Sequence, residues 1–506
     1  MKQSWLTFVL VAAALSAALI IVGTTPHGPG VTPDSTIYLE SAQSLASGSG
    51  FSARGEAMTR YPPAFPILLA AGGAIFGDTL VGARVLLALL FGANLFLVSL
   101  TAYRGGGRLP AAAFAGALLF ASSPDLLELH VAALSEPLFL CCSLLAVLFL
   151  ARYLSQGRSA LLIASGVFLA LALTTRYAAI PLVFPMLLAI WTFGPDRVSR
   201  RVRDLFVLGV IGGTPFALWV VRNLLTAGTA AEREIGFRGS PISLVPRTVR
   251  AIHDFWLPLA IGGRFKLVLL LLLAAALAAG PVLARRAWPR GGEETREPRA
   301  LLTMWGLFAG LYLAFVIATV TFLDAHTPVD RRILAPFNTA VLILVAALGG
   351  TVIRFARWRS LKWALAGMLL FVVSLRAGRF MTLSERVRSE GYGYTAPVWK
   401  SSETVAHVKS LSPSTVVYSN GPDALRFLTG RAVNPVPRKI HPNTKKRNAR
   451  FEKEVAPLCT EVGSGAVLVY LEKIRWRWYL PTHAELAVRC GLGRPRVLPD
   501  GVIYGE

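Results

Sequence analysis

The sequence predicts a mainly α-helical protein that crosses a membrane many times and ends in a small α/β domain. Of its 506 residues, 54% are hydrophobic and only 16% are charged, whereas soluble domains have nearer a quarter charged residues. The apolar residues fall in runs of about twenty, long enough to cross a hydrocarbon core of roughly 30 Å. A net charge of +24 in a soluble protein would indicate nucleic acid, but arginine-rich membrane loops explain it better here, so no nucleic-acid partner is expected.

We predict about eleven transmembrane helices. The first apolar run is expected to be a retained span, because no cleavage motif of small residues follows it convincingly. The predicted spans are 4–23, 80–102, 110–123, 136–151, 159–175, 177–193, 205–222, 265–284, 301–322, 333–353 and 360–376.

Alternate connecting loops of this arrangement are rich in arginine. The clusters are Arg104 and Arg108; Arg152 and Arg158; Arg197, Arg200, Arg201 and Arg203; Arg285, Arg286, Arg290, Arg296 and Arg299; and Arg354, Arg357, Arg359 and Lys362. All of them fall on one side of the membrane, which the positive-inside rule makes the cytoplasmic side. The N-terminus is therefore predicted inside, and the loop after the first span, the loops 223–264 and 323–332 and the C-terminal tail are predicted outside.

The chain divides into a predicted membrane module, 1–376, and an extracytoplasmic domain, 377–506. In the tail, "STVVYSN" and "GAVLVYLEK" have the composition of strands, and "PDALRFLTG" is typical of a short helix that ends at Gly430. A basic loop, "HPNTKKRNARFEKE", is expected between the strands. Cys459 and Cys490 could form a disulfide if this domain lies outside the cytoplasm.

The first external loop, 24–79, carries two predicted interfacial helices. Thr32 suits an N-cap with Pro33 at the first helical position, so Asp34 would lie in the first turn, where the helix dipole favours a carboxylate. The segment "RYPPAFPILLAAGGAIFG" has an apolar stretch too short to cross a bilayer and predicts an interfacial or re-entrant helix.

Charged residues collect at the outer ends of the predicted spans, where topology does not require them. They include Asp34, Glu40, Arg54, Arg60, Arg84, Asp125, Glu128, His130, Glu136, Arg176, Arg222, Asp324, His326, Asp330, Arg331 and Arg332. Arginine binds phosphate bidentately, and a nearby carboxylate can act as a general base. A lipid-linked phosphate would suit this set, while interfacial anchors and salt bridges are the simpler alternative for any single residue.

In chain order, these segments resemble the GT-C superfamily of glycosyltransferases that use polyprenyl-phosphate sugars, in particular its protein mannosyltransferase-like and aminoarabinose-transferase-like branch. The resemblance rests on "PDSTIYLESAQSLASGSGF", "RYPPAFPILLA", "GARVLLALLFGA", "ALSEPLFL", "TRYAAIPLVFP", "WVVRNLLTAG" and "DRRILAPF", and in the tail on "YSNGPDALRFLTGR". It covers most of the chain up to about residue 350.

The resemblance implies roles for individual residues. Asp34 would be the catalytic base. Glu136 is the best match for the second carboxylate of the site, and Asp125 is the next-best match for that role. Arg222, beside Asn223, and Arg332 would contact the donor phosphate, with Arg176 as a looser match. Tyr61 stands where relatives of the aminoarabinose type carry lysine, and the adjacent Arg60 would take the place of that lysine.

The implied reaction is an inverting transfer of a sugar from polyprenyl phosphate to a hydroxyl of a lipid, glycan or protein outside the cytoplasm. The implied location is the bacterial inner membrane, among membrane lipids. No cofactor is expected, and no residue spacing indicates a metal. Two other classes stay open: a transporter or flippase that binds an anionic lipid or glycan through the same arginines, and a membrane-anchored binding or sensor protein. The sequence leaves the sugar and the acceptor undetermined.

Overall fold

The structure is a computed structural model that describes residues 2–232, 235–257, 293–355 and 359–505. The membrane module is helical, and the predicted span 265–284 lies outside the described residues. Its helices are α1 Lys2–Thr24, α2 Pro33–Ala46, α3 Ala64–Phe76, α4 Thr79–Gly105, α5 Pro110–Ala121, α6 Pro124–Val131, α7 Glu136–Gln156, α8 Ser159–Thr175, α9 Ile180–Phe193, α10 Val198–Ala227, α11 Val245–Trp256, α12 Glu293–Ala318, α13 Ala335–Phe355 and α14 Arg359–Glu390.

Every predicted span within the described residues coincides with a helix, but the count of eleven spans is not confirmed. Seven helices in the described part of the chain are long and apolar enough to cross a membrane. An eighth span is possible if α5 and α6, which meet at 62°, form one broken crossing. The helices α3 and α8 and the segment Tyr177–Phe193 are apolar but shorter. The protein is thus a multi-pass membrane protein.

Two segments differ from their predictions. The stretch that contains Asp125 and Glu128 falls between the predicted spans 110–123 and 136–151, but it forms the helix α6, because Ser123 caps it and Pro124 takes its first position. Arg222 was expected at the end of its span, but α10 continues to Ala227 and ends at Gly228 in the left-handed conformation.

The tail forms a five-stranded mixed sheet with helices packed against it. The strand order is β4-β3-β5-β7-β6, and β3 pairs in parallel with both of its neighbours. The strands are β3 Val417–Ser419, β4 Asn434–Pro435, β5 Val467–Leu471, β6 Arg496–Leu498 and β7 Gly501–Tyr504, and a small hairpin in the first external loop supplies β1 Ser52–Ala53 and β2 Glu56–Ala57. The remaining helices are α15 Pro397–Lys400, α16 Glu403–Ser410, α17 Pro422–Thr429, α18 Phe451–Gly463 and α19 His483–Cys490.

Both predicted tail strands are present, and α17 ends at Gly430 as expected. The basic loop is shorter than predicted, since "FEKE" begins α18. Cys459 on α18 and Cys490 on α19 form a disulfide. The structure thus settles the pairing that the sequence left open.

A short extended segment, Pro29–Val31, joins three parts of the molecule. The Gly30 amide donates to the Val131 carbonyl at 2.7 Å, and the Ala133 amide donates to the Gly30 carbonyl at 2.8 Å. On the other side, the Tyr394 amide donates to the Val31 carbonyl at 2.7 Å. This segment therefore sets the start of α2 beside the start of α7 and fixes the tail against both.

Candidate active site

Asp34 lies in the first turn of α2, as predicted. Thr32 is the N-cap, its hydroxyl accepts from the Ser35 amide, and Pro33 is the first helical residue. The Asp34 side chain is 31% exposed, so the carboxylate is accessible rather than sealed in the core.

Arg332 connects Asp34 to Glu136. Its Nη2 atom donates to Asp34 Oδ2 at 2.7 Å, and its Nε atom donates to Glu136 Oε1 at 2.7 Å. The planar guanidinium can serve both carboxylates at once because its donors point in fixed, separate directions. Residues 34, 136 and 332 are far apart in the chain, and the fold brings them to one point.

Glu136 begins α7 and is almost fully buried. Its second oxygen pairs with Arg176 Nη1 at 3.0 Å. The same Arg176 atom donates to the Ser135 hydroxyl at 2.9 Å, and that hydroxyl also lies 3.1 Å from the Tyr38 hydroxyl. Two arginines therefore hold the buried Glu136 carboxylate, as a buried charge requires.

Tyr61 completes the surroundings of Asp34. Its hydroxyl donates to Asp34 Oδ1 at 2.9 Å, so both carboxylate oxygens accept a hydrogen bond. The Arg60 guanidinium lies over the Tyr61 ring, 5.3 Å from its centroid. Tyr61 thus takes part in the site directly, at the position where the resemblance would place a lysine.

The pKa of the Asp34 carboxyl is held below its usual range. Burial raises this pKa, but the charge of Arg332, the hydrogen bonds from Arg332 and Tyr61 and the charge of Arg60 together lower it by more. Burial also raises the pKa of the Tyr38 hydroxyl, to about 12. At neutral pH the site therefore holds an ionised Asp34 beside neutral tyrosines.

Arg222 and Asn223 lie in a neighbouring cluster that holds the first external loop. Arg222 Nη1 donates to the Met58 carbonyl at 2.6 Å, and its guanidinium lies over the Phe51 and Trp219 rings. The Asn223 amide donates to the Thr59 carbonyl at 3.0 Å. These contacts fix the backbone immediately before Arg60, whereas the predicted contact of Arg222 with a donor phosphate stays a prediction.

Asp125 stands apart from the Asp34–Glu136 pair. It is buried on α6 and pairs with Arg331 Nη1 at 3.0 Å. The adjacent residues Arg331 and Arg332 therefore pair with different carboxylates.

Sequence reasoning missed Tyr38 and Ser135 as members of the site. A signal for each was present, because Tyr38 is one helical turn after Asp34 and Ser135 directly precedes Glu136. The expectation that no metal or cofactor takes part stays a prediction.

Comparisons with known proteins identify one family model and several solved structures that the protein resembles. Residues 60–220 match the model of the dolichyl-phosphate-mannose-protein mannosyltransferase family. No curated protein sequence is a significant match.

Solved structures resemble the protein over its whole length. ArnT from Cupriavidus metallidurans in the apo state has a TM-score of 0.55 at 17% identity, with 100% of this chain and 98% of that chain covered. ArnT from Cupriavidus metallidurans bound to undecaprenyl phosphate has a TM-score of 0.53 at 17% identity, with the same shares of the two chains covered. The arabinofuranosyltransferase AftD from Mycobacteria gives 0.50 at 14% identity, covering 100% of this chain and 40% of that chain.

The family match includes Glu136 and Arg176, and the structural matches extend across the tail domain. The resemblance to the GT-C superfamily of membrane glycosyltransferases is therefore confirmed, and the protein has an ArnT-like GT-C fold with a small C-terminal sheet domain.

Proposed function

We propose that the protein is an inverting glycosyltransferase that moves a sugar from a polyprenyl-phosphate donor to a hydroxyl acceptor on the extracytoplasmic face of the membrane. The observation that carries this proposal is the Asp34–Arg332–Glu136–Arg176 network, in which two carboxylates from different helix starts share one guanidinium. Such a site offers both a base and fixed positive charge in one place.

Asp34 is the base in this proposal. It accepts the proton of the acceptor hydroxyl, whose oxygen then bonds to the anomeric carbon of the donor sugar. The bond from that carbon to the phosphate oxygen breaks, and polyprenyl phosphate leaves with the electron pair. A single displacement inverts the anomeric centre, and phosphate needs no strong general acid to leave.

Arg332, Arg176 and Arg60 would stabilise the charge that grows on the leaving phosphate. They are held by Glu136, Ser135 and the Tyr61 ring before any substrate arrives, so little reorganisation is needed when the charge appears. The match to ArnT bound to undecaprenyl phosphate supports a polyprenyl-phosphate donor. The acceptor class, whether lipid, glycan or protein, remains part of the proposal.

The extracytoplasmic placement has two independent supports. One is the arginine distribution, which puts the start of α2 and the tail on the side opposite the arginine-rich loops. The other is the Cys459–Cys490 disulfide, because disulfides persist mainly in oxidising compartments. Both are consistent with a bacterial inner-membrane enzyme.

The substitution Asp34→Asn tests the proposed base. It keeps the size of the side chain but removes its basicity, so transfer should fall by about 10²- to 10⁴-fold. Turnover of a polyprenyl-phosphate sugar and equilibrium binding of undecaprenyl phosphate would both be measured in nanodiscs, and binding should be retained.

Asp78→Asn is the matched control, because Asp78 is an exposed carboxylate that caps α4 through the Val81 amide. It should leave transfer unchanged. Full transfer by the Asp34→Asn protein would exclude Asp34 as the base, and a wild-type protein that moves the lipid across a bilayer without sugar transfer would favour a flippase.

A further inference from the structure

A second group of buried polar side chains lies beside the candidate active site. Asp125 on α6, His253 and Trp256 on α11 and Arg376 on α14 are all buried, and Arg376 is fully enclosed. The Arg376 guanidinium lies 4.9 Å from the centroid of the Phe255 ring and 5.9 Å from that of Trp256. We call these five residues the Asp125–Arg376 cluster.

Arg376 lies on the long helix α14, at the outer end of the predicted span 360–376. Eight residues further along this helix, the Ser384 hydroxyl bonds the Thr24 hydroxyl at the end of α1. A fully buried ionisable residue at the end of a membrane helix is costly, and it commonly marks a functional site. Topology gives no reason for Arg376 to be there.

Several polar atoms of the cluster have no hydrogen-bond partner among the residues the structure describes. They are Nε, Nη1 and Nη2 of Arg376, both carboxylate oxygens of Asp125, Nε2 of His253 and Nε1 of Trp256. Asp125 does have its ion pair with Arg331, but Arg376 forms no ion pair within 4 Å in this part of the chain. Buried polar groups are normally satisfied, so this set calls for a polar partner.

The mixture of groups narrows the chemistry of that partner. Asp125 offers acceptor oxygens, whereas Arg376 and Trp256 offer N–H donors, so one partner that satisfies both kinds of group must donate and accept hydrogen bonds. A neutral hydroxyl can donate to Asp125 and accept from Arg376 or Trp256 at the same time. Flat aromatic faces, such as those of Phe255 and Trp256, add apolar contact for the carbon face of a ring.

We propose that the Asp125–Arg376 cluster binds the hydroxyl groups of a sugar ring and so determines which sugar the protein accepts. The cluster is connected to the candidate active site through one loop, since Arg331 pairs with Asp125 and the following residue, Arg332, pairs with Asp34. The proposal rests on the proposed function and assigns its sugar-recognition residues. The ring is that of the donor or of the acceptor, and both present the same hydroxyl chemistry.

Two substitutions test the proposal in the full-length protein in nanodiscs. Arg376→Met removes the guanidinium but keeps an unbranched side chain, and Asp125→Asn removes one charge without changing size. Arg379→Met is the matched control, because Arg379 is exposed on the same helix. Binding of undecaprenyl phosphate is compared with binding of undecaprenyl-phosphate mannose and arabinose, and octyl mannoside and octyl arabinofuranoside serve as acceptor-like probes.

If the sugar belongs to the donor, both variants should weaken binding of the sugar-bearing lipid by roughly 10- to 100-fold, as expected for lost hydrogen bonds to charged groups. Binding of bare undecaprenyl phosphate should stay within twofold of wild type. If the sugar belongs to the acceptor, only binding of the octyl glycosides should weaken. Should Arg376→Met fail to fold, Asp125→Asn alone decides between these results.

Three results would overturn the proposal. An equal loss of affinity for bare undecaprenyl phosphate would make the cluster a lipid or phosphate site. A lower melting temperature with unchanged affinities would make it a hydrated structural site. A wild-type protein that binds none of the sugar-bearing probes more tightly than their sugar-free counterparts would exclude sugar recognition. These binding results do not depend on turnover, so they remain distinct from failure of the Asp34 assignment.

Discussion

At the scale of single residues, the hydrogen bonds donated to Asp34 determine the ionisation and the position of its carboxylate. Arg332 and Tyr61 donate to different oxygens of this carboxylate, and both stabilise its ionised form. Only arginine can hold Asp34 and Glu136 together in this way, because a lysine ammonium is a compact charge without a planar fork. The ion pair thus keeps the base ionised and positions it relative to α7.

Replacing Tyr61 with phenylalanine should change the pH dependence of the reaction. The Tyr61 hydrogen bond lowers the pKa of Asp34, so its loss raises that pKa, and the base becomes protonated at a higher pH as the solution is acidified. The acid limb of the kcat/KM profile should therefore move to higher pH than in the wild-type protein.

The Tyr103→Phe variant is the control. Tyr103 lies near the C-terminal end of α4, at the far end of that helix from Thr79, where the helix begins. Its pH profile should match wild type. An unshifted acid limb in the Tyr61→Phe protein would mean that Asp34 is not the group that titrates in that limb.

At the scale of secondary-structure elements, close helix packing places the loop that carries Tyr61. Helices α3 and α4 approach through Gly72 and Gly82, and a Cβ atom added at Gly82 would lie 2.5 Å from the Gly72 carbonyl carbon. Small residues allow such backbone contact between membrane helices. The helix α3, which begins just after the Tyr61 segment, is held against α4 by this contact.

The substitution Gly82→Ala should therefore destabilise the protein by about 1–3 kcal/mol, because neither backbone can move away without separating the helices. Thermal unfolding in detergent measures the effect. Gly209→Ala in α10 is the control, since nothing lies within 4 Å of its added Cβ atom, and its melting temperature should stay the same or rise. Equal melting temperatures for the two variants would contradict this account of the contact.

At the scale of the whole molecule, the tail contributes to the position of the site. The Val31 carbonyl accepts from Tyr394, and the Pro29 carbonyl accepts from the Thr395 hydroxyl at 2.8 Å. Gly393 has a φ of 63°, and a Cβ atom there would lie 2.2 Å from the Val31 oxygen. The backbone just before Asp34 is thus fixed by the connection between α14 and the tail sheet.

The Cys459–Cys490 disulfide should stabilise the tail domain in particular. It closes a loop with a sequence separation of 31, for which loop-closure entropy predicts a contribution of about 3–4 kcal/mol. The Cys459→Ser/Cys490→Ser protein should lose protease resistance in the tail before the membrane helices unfold.

Labelling of intact cells with a membrane-impermeant maleimide after mild reduction tests the location of the same bond. Cys459 and Cys490 should react, whereas the single variants Cys141→Ala and Cys142→Ala should label to the same extent as wild type, because both side chains lie within α7. Labelling that appears only after the cells are lysed would place the tail in the cytoplasm.

The sequence by itself determined the helical membrane fold, because apolar length and charge are local properties. It also determined the first turn of α2, because Thr32, Pro33 and Asp34 act within one turn. The strands of the tail and the end of α17 at Gly430 were predictable for the same reason. The helix α6 was not predicted, because the prediction took no account of the helix start at Ser123–Pro124.

Only the tertiary structure decided which charges meet. The sequence supplied an excess of candidate outer-end residues, but it gave no distances among residues as distant as Asp34, Glu136 and Arg332. The contacts of Pro29–Val31 with the α6–α7 connection and with the tail hold the starts of α2 and α7 side by side. Arg222 instead bonds the Met58 carbonyl, and Asp125 pairs with Arg331. The burial of Arg376 among Phe255 and Trp256 likewise arises from packing between helices that are distant in the chain, and no local pattern reports such packing.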